Sequence, residues 1–387
     1  MENEIKLLKE KTISSLIPEK LRIYLEMLIV VLVLHQEGVL KYILFSIYVI
    51  YKMFKYNVRF CKKDFLIIMP HLVFGIFGVL LSLTSNYVFL AFKEFLFLIV
   101  PIFGAVVLFL SSNNKSGLYV DAIFEAIFTV FLVDGIKIFN ITDLMESTYA
   151  FIFGIFLIYY AYKKKPLMFL VSCVAVVLSA KRIVWASSII CVFLLYIFTR
   201  KRISLKIEKK FDKFLTLLSF VVPIILLVYV FWIINGEISS FMYQHNINSM
   251  GRLTVWEYFS QYCSFSLTYV GKGLGYVQNI LNELNNPFFA RIHNDILLYY
   301  IQFGFLGFFV FFYLHIFVII VLFKDKKLNY KSSITLLLFV LFELLCYCTD
   351  NISIYINFLF PLYFIMMHII NSRKVVKNEN NNYNNFV

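Results

Sequence analysis

Three polar side chains, His293, Asn294 and Asp295, stand together where the chain enters a long apolar run, HNDILLYYIQFGFLGFFVFF over 293–312. An imidazole in such a place can take a proton from a hydroxyl or donate a hydrogen bond to a phosphate. Capping the helix that follows accounts for Asn294 or Asp295. It leaves the histidine unexplained. Basic residues recur elsewhere: Lys181 and Arg182 in SAKRIVW (179–185), Arg252 in NINSMGRLTVWEYF (246–259), Lys272 in GKGLG (271–275), and Arg291. A planar guanidinium can hold two phosphate oxygens at once, and GKGLG offers backbone N–H groups and Lys272 to an anion. Each also has a plainer reading, as a snorkelling arginine, a surface helix or a turn. Asp350 and Asn351, in CYCTDNISIYINF, are open to the capping explanation too. Glu343, seven residues before Asp350, continues an acidic stripe along one helix face. Asp134 and Lys137, three apart near another helix end, read as an ion pair. Together these residues describe a cationic cavity lined by Arg182, Arg252, Lys272 and Arg291, with one histidine and one carboxylate nearby. Such a cavity suits a membrane-embedded diphosphate.

The elements that must position these groups are membrane helices. The chain is 61% hydrophobic and 15% charged, well above the roughly 45–50% apolar content of a soluble domain. The 387 residues divide into apolar runs of the length that crosses a bilayer: 21–36, 38–54, 65–83, 87–110, 118–138, 148–162, 166–180, 183–199, 214–234, 295–323, 332–348 and 352–370. The reading is therefore an all-α, polytopic integral membrane protein of about 12 transmembrane helices. A cytoplasmic tail (1–20) precedes helices 1–9 (21–234), and a long extracytoplasmic loop (235–294), broken by glycines and Pro287, separates them from helices 10–12 (295–370) and a disordered cytoplasmic tail (371–387). With the amino terminus inside, the cytoplasmic segments hold 28 of the 36 Lys and Arg residues. The outer turns HQEG, TSN, FNITDLMES and TDN hold none, which sets both termini in the cytoplasm. The net charge of +13 is then topological and argues against a nucleic-acid partner. It also singles out Lys181, Arg182, Arg252, Lys272 and Arg291, which stand on the outer side against the rule. The six cysteines form no CxxC pair, which argues against a zinc site.

SAKR (179–182), GRLTVW (251–256), GKGLG (271–275), HNDILLYYIQFGFLGFF (293–309) and TDN (349–351) occur in an order that resembles the O-antigen polymerase and ligase superfamily. The resemblance covers residues 165 to 365. It implies a GT-C-type, metal-independent, inverting glycosyltransferase without cofactor, in the bacterial cytoplasmic membrane, with undecaprenyl diphosphate-linked glycan as donor and acceptor. On this chain it implies catalytic roles for Arg182 and Arg252, holding the diphosphate, and for His293, assisting the acceptor hydroxyl. Lys181, Lys272, Arg291, Asn294, Asp295 and Asp350 would bind substrate. A chain-length regulator and a flippase are the protein partners it suggests, besides membrane lipids. One spacing described for polymerase loops, RX10G, is not met, because Cys263 stands eleven after Arg252.

Within the superfamily, the compact loop favours a Wzy-type polymerase of O-antigen or capsular repeat units over a ligase that transfers glycan to lipid A-core. A flippase or transporter is the reading from another class. The scarcity of mid-span charge and the lack of a Gly/Pro-broken helix pair or inverted repeat speak against it.

Overall fold

In a computed structural model the chain is described over residues 18–383, apart from 37, 113–114, 139–147, 201–209, 248, 250, 287–288, 290 and 326–327. The expected turn FNITDLMES, most of the basic segment after 200, and Pro287 thus lie wholly or largely outside the described residues. Among those described, every regular element is helical. The helices are α1 (Glu19–His35), α2 (Leu40–Lys55), α3 (Lys62–Leu66), α4 (Met69–Ser82), α5 (Val88–Ser111), α6 (Ser116–Ile138), α7 (Tyr149–Lys163) and α8 (Pro166–Leu178). They continue with α9 (Arg182–Thr199), α10 (Phe211–Ile234), α11 (Glu237–Gln244), α12 (Arg252–Ser260), α13 (Tyr276–Leu284), α14 (Asp295–Lys324), α15 (Tyr330–Tyr347) and α16 (Ile356–Tyr383), with a 3-10 turn at Ile352–Ile354.

Each of the twelve apolar runs is a helix, because a backbone in lipid must bond within its own segment. Six are long and apolar enough to cross a membrane, namely α5, α6, α9, α10, α14 and α15, and four more are shorter apolar helices. The protein is an integral membrane protein. One boundary differs from expectation. The segment from 371, expected to be disordered, continues α16 as helix to Tyr383. It has no Pro or Gly to stop a helix already begun at Ile356.

The 235–294 segment is not an open loop. Three short helices, α11 to α13, lie in it, and α12 and α13 bury Leu253, Val255, Trp256, Phe259, Val277, Ile280 and Leu281 in a small core shared with Ile292, Leu297 and Leu298 at the head of α14. Helix α14 is bent at Gly304, whose backbone (φ +70°, ψ −175°) is open in practice to glycine alone. The bend frees backbone groups, which the loop takes up. The N–H of Phe305 donates to Tyr269 O (2.9 Å), while Lys272 N–H and Gly273 N–H donate to the carbonyls of Ile301 (2.8 Å) and Gln302 (2.9 Å). The kink thus docks the loop onto the bundle and fixes how α14 presents its first turn. Helix α14 also packs on α4, α10 and α15.

Candidate functional site

The HND motif is where four parts of the chain meet. Asn294 is the N-cap of α14; its Oδ1 accepts from Leu297 N–H at 2.9 Å. Its amide donates to the Tyr229 hydroxyl (3.0 Å), which donates to Cys348 O (2.9 Å). Asp295 is fully buried and receives three hydrogen bonds from the turn after α15: Asn351 Nδ2 (3.1 Å), Ser353 N–H (2.8 Å) and Ser353 Oγ (2.6 Å). Asp295 therefore binds HND to the TDN turn, while Asn294 binds it to Tyr229 on α10. A buried carboxylate is tolerable only when its lone pairs are met in this way.

His293 takes a left-handed backbone (φ +51°), a conformation uncommon outside glycine and enriched in Asn, Asp and His. Its N–H donates to Asn351 Oδ1 at 2.6 Å, which holds the turn. The ring is part-exposed, and Nδ1 lies 3.7 Å from Asp350 Oδ1, ion-pair distance rather than hydrogen-bond distance. Asp350 itself is buried and pairs through Oδ2 with Lys181 Nζ at 2.5 Å. Burial pushes its carboxyl up. The neighbouring His293 and Lys181, together with the Asn351 amide at 2.8 Å, outweigh that and hold it below the usual carboxylate range. Asp350 is thus a fixed negative charge behind the imidazole. Lys181 is delivered by the turn at Ala180 (φ +49°), and its ammonium sits 4.5 Å from the centre of the Phe151 ring. Within the protein it is engaged by Asp350 and Phe151. The acidic stripe is not free either: Glu343 accepts from Tyr347 Oη at 2.6 Å.

Arg291 extends this cluster outward. Its Nη1 donates to the Tyr355 hydroxyl (2.7 Å), which is 3.5 Å from Asp350 Oδ1. Arg291 and Tyr355 also line a half-open cavity of about 590 Å³. The cavity's other walls are the end of α1 (His35), the start of α2 (Lys41, Tyr42), the first turns of α5 (Lys93, Phe97), the start of α7 (Tyr149) and residues 354–358. Lys41, Lys93 and Arg291 bring three cations to it. The carboxylate near it, Asp134, is engaged by His35 (3.4 Å) and by the Tyr149 hydroxyl (3.1 Å). The expected pairing of Asp134 with Lys137 lies outside the description, because the Lys137 side chain is not among the described ones.

The cavity also differs from the one read in the sequence. Of the four cations expected to line it, Arg291 does; Arg182, Arg252 and Lys272 do not. Arg182 is an exposed first residue of α9, next to the buried Lys181. Arg252 opens α12, which Trp256 ties to the motif by donating to Ile292 O at 3.0 Å. Lys272 is exposed, with its ammonium 5.8 Å from the centre of the Tyr276 ring. The amides of GKGLG are not available to an anion, for Lys272, Gly273, Leu274 and Gly275 donate to Ile301 O, Gln302 O, Gly78 O and Glu94 Oε2. Lys41 and Lys93 escaped the sequence reading, although the signal was present. They too are basic residues outside the segments counted as cytoplasmic.

Residues 167–312 match the family model described as O-antigen ligase (Wzy_C). No curated protein and no solved structure matches the chain. The matched stretch runs from α8 into α14 and contains SAKR, the 235–294 segment, HND and the FGFLG kink. It leaves out the TDN turn, Lys41 and Lys93. Over this stretch, rather more than a third of its length, the chain is similar to the O-antigen ligase family.

Proposed function

We propose that the protein is a polymerase that joins lipid-linked oligosaccharide repeat units on the outer face of the cytoplasmic membrane, its twelve apolar helices crossing the bilayer with both termini inside. The observation that carries this reading is the cavity in which Lys41, Lys93 and Arg291 meet Tyr42, Phe97, Tyr149 and Tyr355 beside the His293–Asp350 pair. Cations and aromatic rings in one cleft suit a glycan attached to a diphosphate. In the reaction a hydroxyl of the acceptor glycan attacks the anomeric carbon of the donor. The bond from that carbon to the diphosphate oxygen breaks with inversion, and the lipid diphosphate leaves with the electron pair. Cations fixed in a site poor in water favour that departure. His293, with Nδ1 turned to Asp350, offers Nε2 to the acceptor hydroxyl and takes its proton. The chemistry as drawn calls on no metal. Arg182 and Arg252, which the resemblance implies for the diphosphate, open α9 and α12, and Arg291, implied for substrate binding, stands in the wall of the cavity.

The likeness to the O-antigen ligase family favours a second reading, transfer of a finished glycan to a lipid acceptor by a ligase. The glycan profile of a strain deleted for the gene, complemented with wild type or His293→Ala, separates them. The polymerase reading expects glycans of one repeat unit in the deletion and a shortened ladder with His293→Ala at normal membrane expression. Polymer accumulating on the lipid carrier in the deletion would show the ligase, and repeat units trapped inside would show a flippase.

A further inference from the structure

Inside the bundle, apart from the cavity above, four helices bring ionisable or hydrogen-bonding side chains together: His71 from α4, His315 from α14, Glu343 from α15 and Tyr363 from α16. All four are buried. His71 Nδ1 lies 3.1 Å from the Tyr363 hydroxyl, and the His71 and His315 rings are 4.8 Å apart between centres, nearly perpendicular. His315 Nδ1 lies 2.9 Å from Phe311 O, a pure acceptor, so the Nδ1 proton is in place and Nε2 of the neutral ring is an acceptor. That Nε2 is buried without a hydrogen-bond partner, as is Nε2 of His71.

Burying such atoms in an apolar bundle costs free energy unless something meets them. A small cavity of about 20 Å³ lies at the place, lined by His315, Glu343 and Tyr363 among aliphatic side chains that include Val340 and Met366. One water needs about 10–15 Å³ of such volume and two to four polar partners, and both conditions hold here. Two imidazoles this close do not both carry charge in an apolar surround. One proton, moving between a carboxyl and one ring, is what the group can accommodate. The other titratable groups acting on Glu343 are Tyr347, which donates to it at 2.6 Å, and Asp295.

We propose that one water occupies this cavity and bridges Glu343 to His315, so that the carboxyl and the imidazole share a single proton within the membrane-spanning bundle. In one arrangement Glu343 is protonated and His315 neutral. In the other the carboxyl proton has gone to the water while a proton of that water has gone to Nε2, giving a carboxylate and an imidazolium. Net charge and atoms are the same in both. The site is a buried proton store, independent of the glycan cavity and of whether the protein is a polymerase or a ligase.

Nitrogen-15 NMR of histidine-labelled protein in lipid nanodiscs tests it. The wild type should show a cross-peak between water and His315 Nε2, and Glu343→Gln should shift the Nε2 signal while leaving that of the exposed His35 in place. Wild-type protein without the water cross-peak overturns the proposal, and this arm needs no variant. A cross-peak with an Nε2 signal unmoved in folded Glu343→Gln also overturns it, because the proton is then not shared with the carboxyl.

Discussion

Replacing Asp350 by Asn should destabilise the protein more than removing both members of its ion pair. Lys181 Nζ and Asp350 Oδ2 are 2.5 Å apart, and their side chains are 10% and 3% exposed. At an effective dielectric near 20 the attraction at that distance is about 7 kcal/mol, most of it offset by the desolvation of two charges. Asp350→Asn keeps the shape, removes the attraction and leaves a buried, desolvated ammonium against the Phe151 ring. The expected loss is about 3–5 kcal/mol, whereas Lys181→Met with Asp350→Asn should recover most of it. Acid should act in the same direction. The Asp350 carboxyl titrates below its ordinary value, so the pair's contribution is complete above the unfolded-state value near 3.9 and is lost as pH falls through the lower folded-state value. Unfolding of the purified protein by denaturing detergent gives the four corners of the double-mutant cycle. Single variants within about 0.5 kcal/mol of wild type, or a double variant equal to the sum of the singles, would refute the reasoning, since uncoupled residues add.

Two further outcomes follow from the geometry. Gly304→Ala should abolish most folded protein in a size-exclusion and thermal-unfolding assay. A Cβ there would run into the backbone of Tyr269 and Val270, and the φ/ψ pair alone costs about 1–3 kcal/mol for a residue with a side chain. Gly307→Ala, one turn on with its nearest neighbour at 3.1 Å, should be far milder, and equal behaviour of the two would remove the kink from the account. Arg291→Lys should shorten the glycan ladder nearly as much as Arg291→Ala, because lysine keeps the charge but not the fork that reaches Tyr355 and a phosphate together. The loss expected is roughly 2–4 kcal/mol of transition-state stabilisation. A normal ladder with Arg291→Lys at normal expression would return Arg291 to a packing role on Tyr355.

The helices were legible because the bilayer imposes one rule on every segment, and apolar length alone reveals it. The run at 166–178 needed no partner to be recognised, with Pro166 at its first position and the turn at Ser179 behind it. What pattern could not show was the architecture of 235–294. Its three short helices owe their places to burial against the head of α14 and to amides caught by the Gly304 kink. GKGLG read as an anion cradle because free amides and docked amides have the same sequence. Only the fold shows that Ile301, Gln302, Gly78 and Glu94 already accept from them.

The site was legible to the extent that its residues adjoin in sequence. HND and TDN stood out as polar clusters against apolar helices, and the structure joins them through Asn351 and Asp295. Lys181 was singled out as a cation standing against the expected topology, and the structure pairs it with Asp350. Its counter-charge lies 169 positions along the chain, a separation at which sequence spacing carries no geometric information. Lys41 and Lys93 stood against the same expectation, yet lie far from SAKR, HND and TDN in sequence, where no motif drew attention to them. Position relative to the membrane is therefore the better signal than motif in a chain of this kind. Each cation on the unexpected side needs a carboxylate, an aromatic face or a ligand. Lys181 has found the first two within the protein. In the wall of the cavity the same need is met by aromatic rings, for Arg291 reaches Tyr355, Lys41 lies over Tyr42 and Lys93 over Phe97.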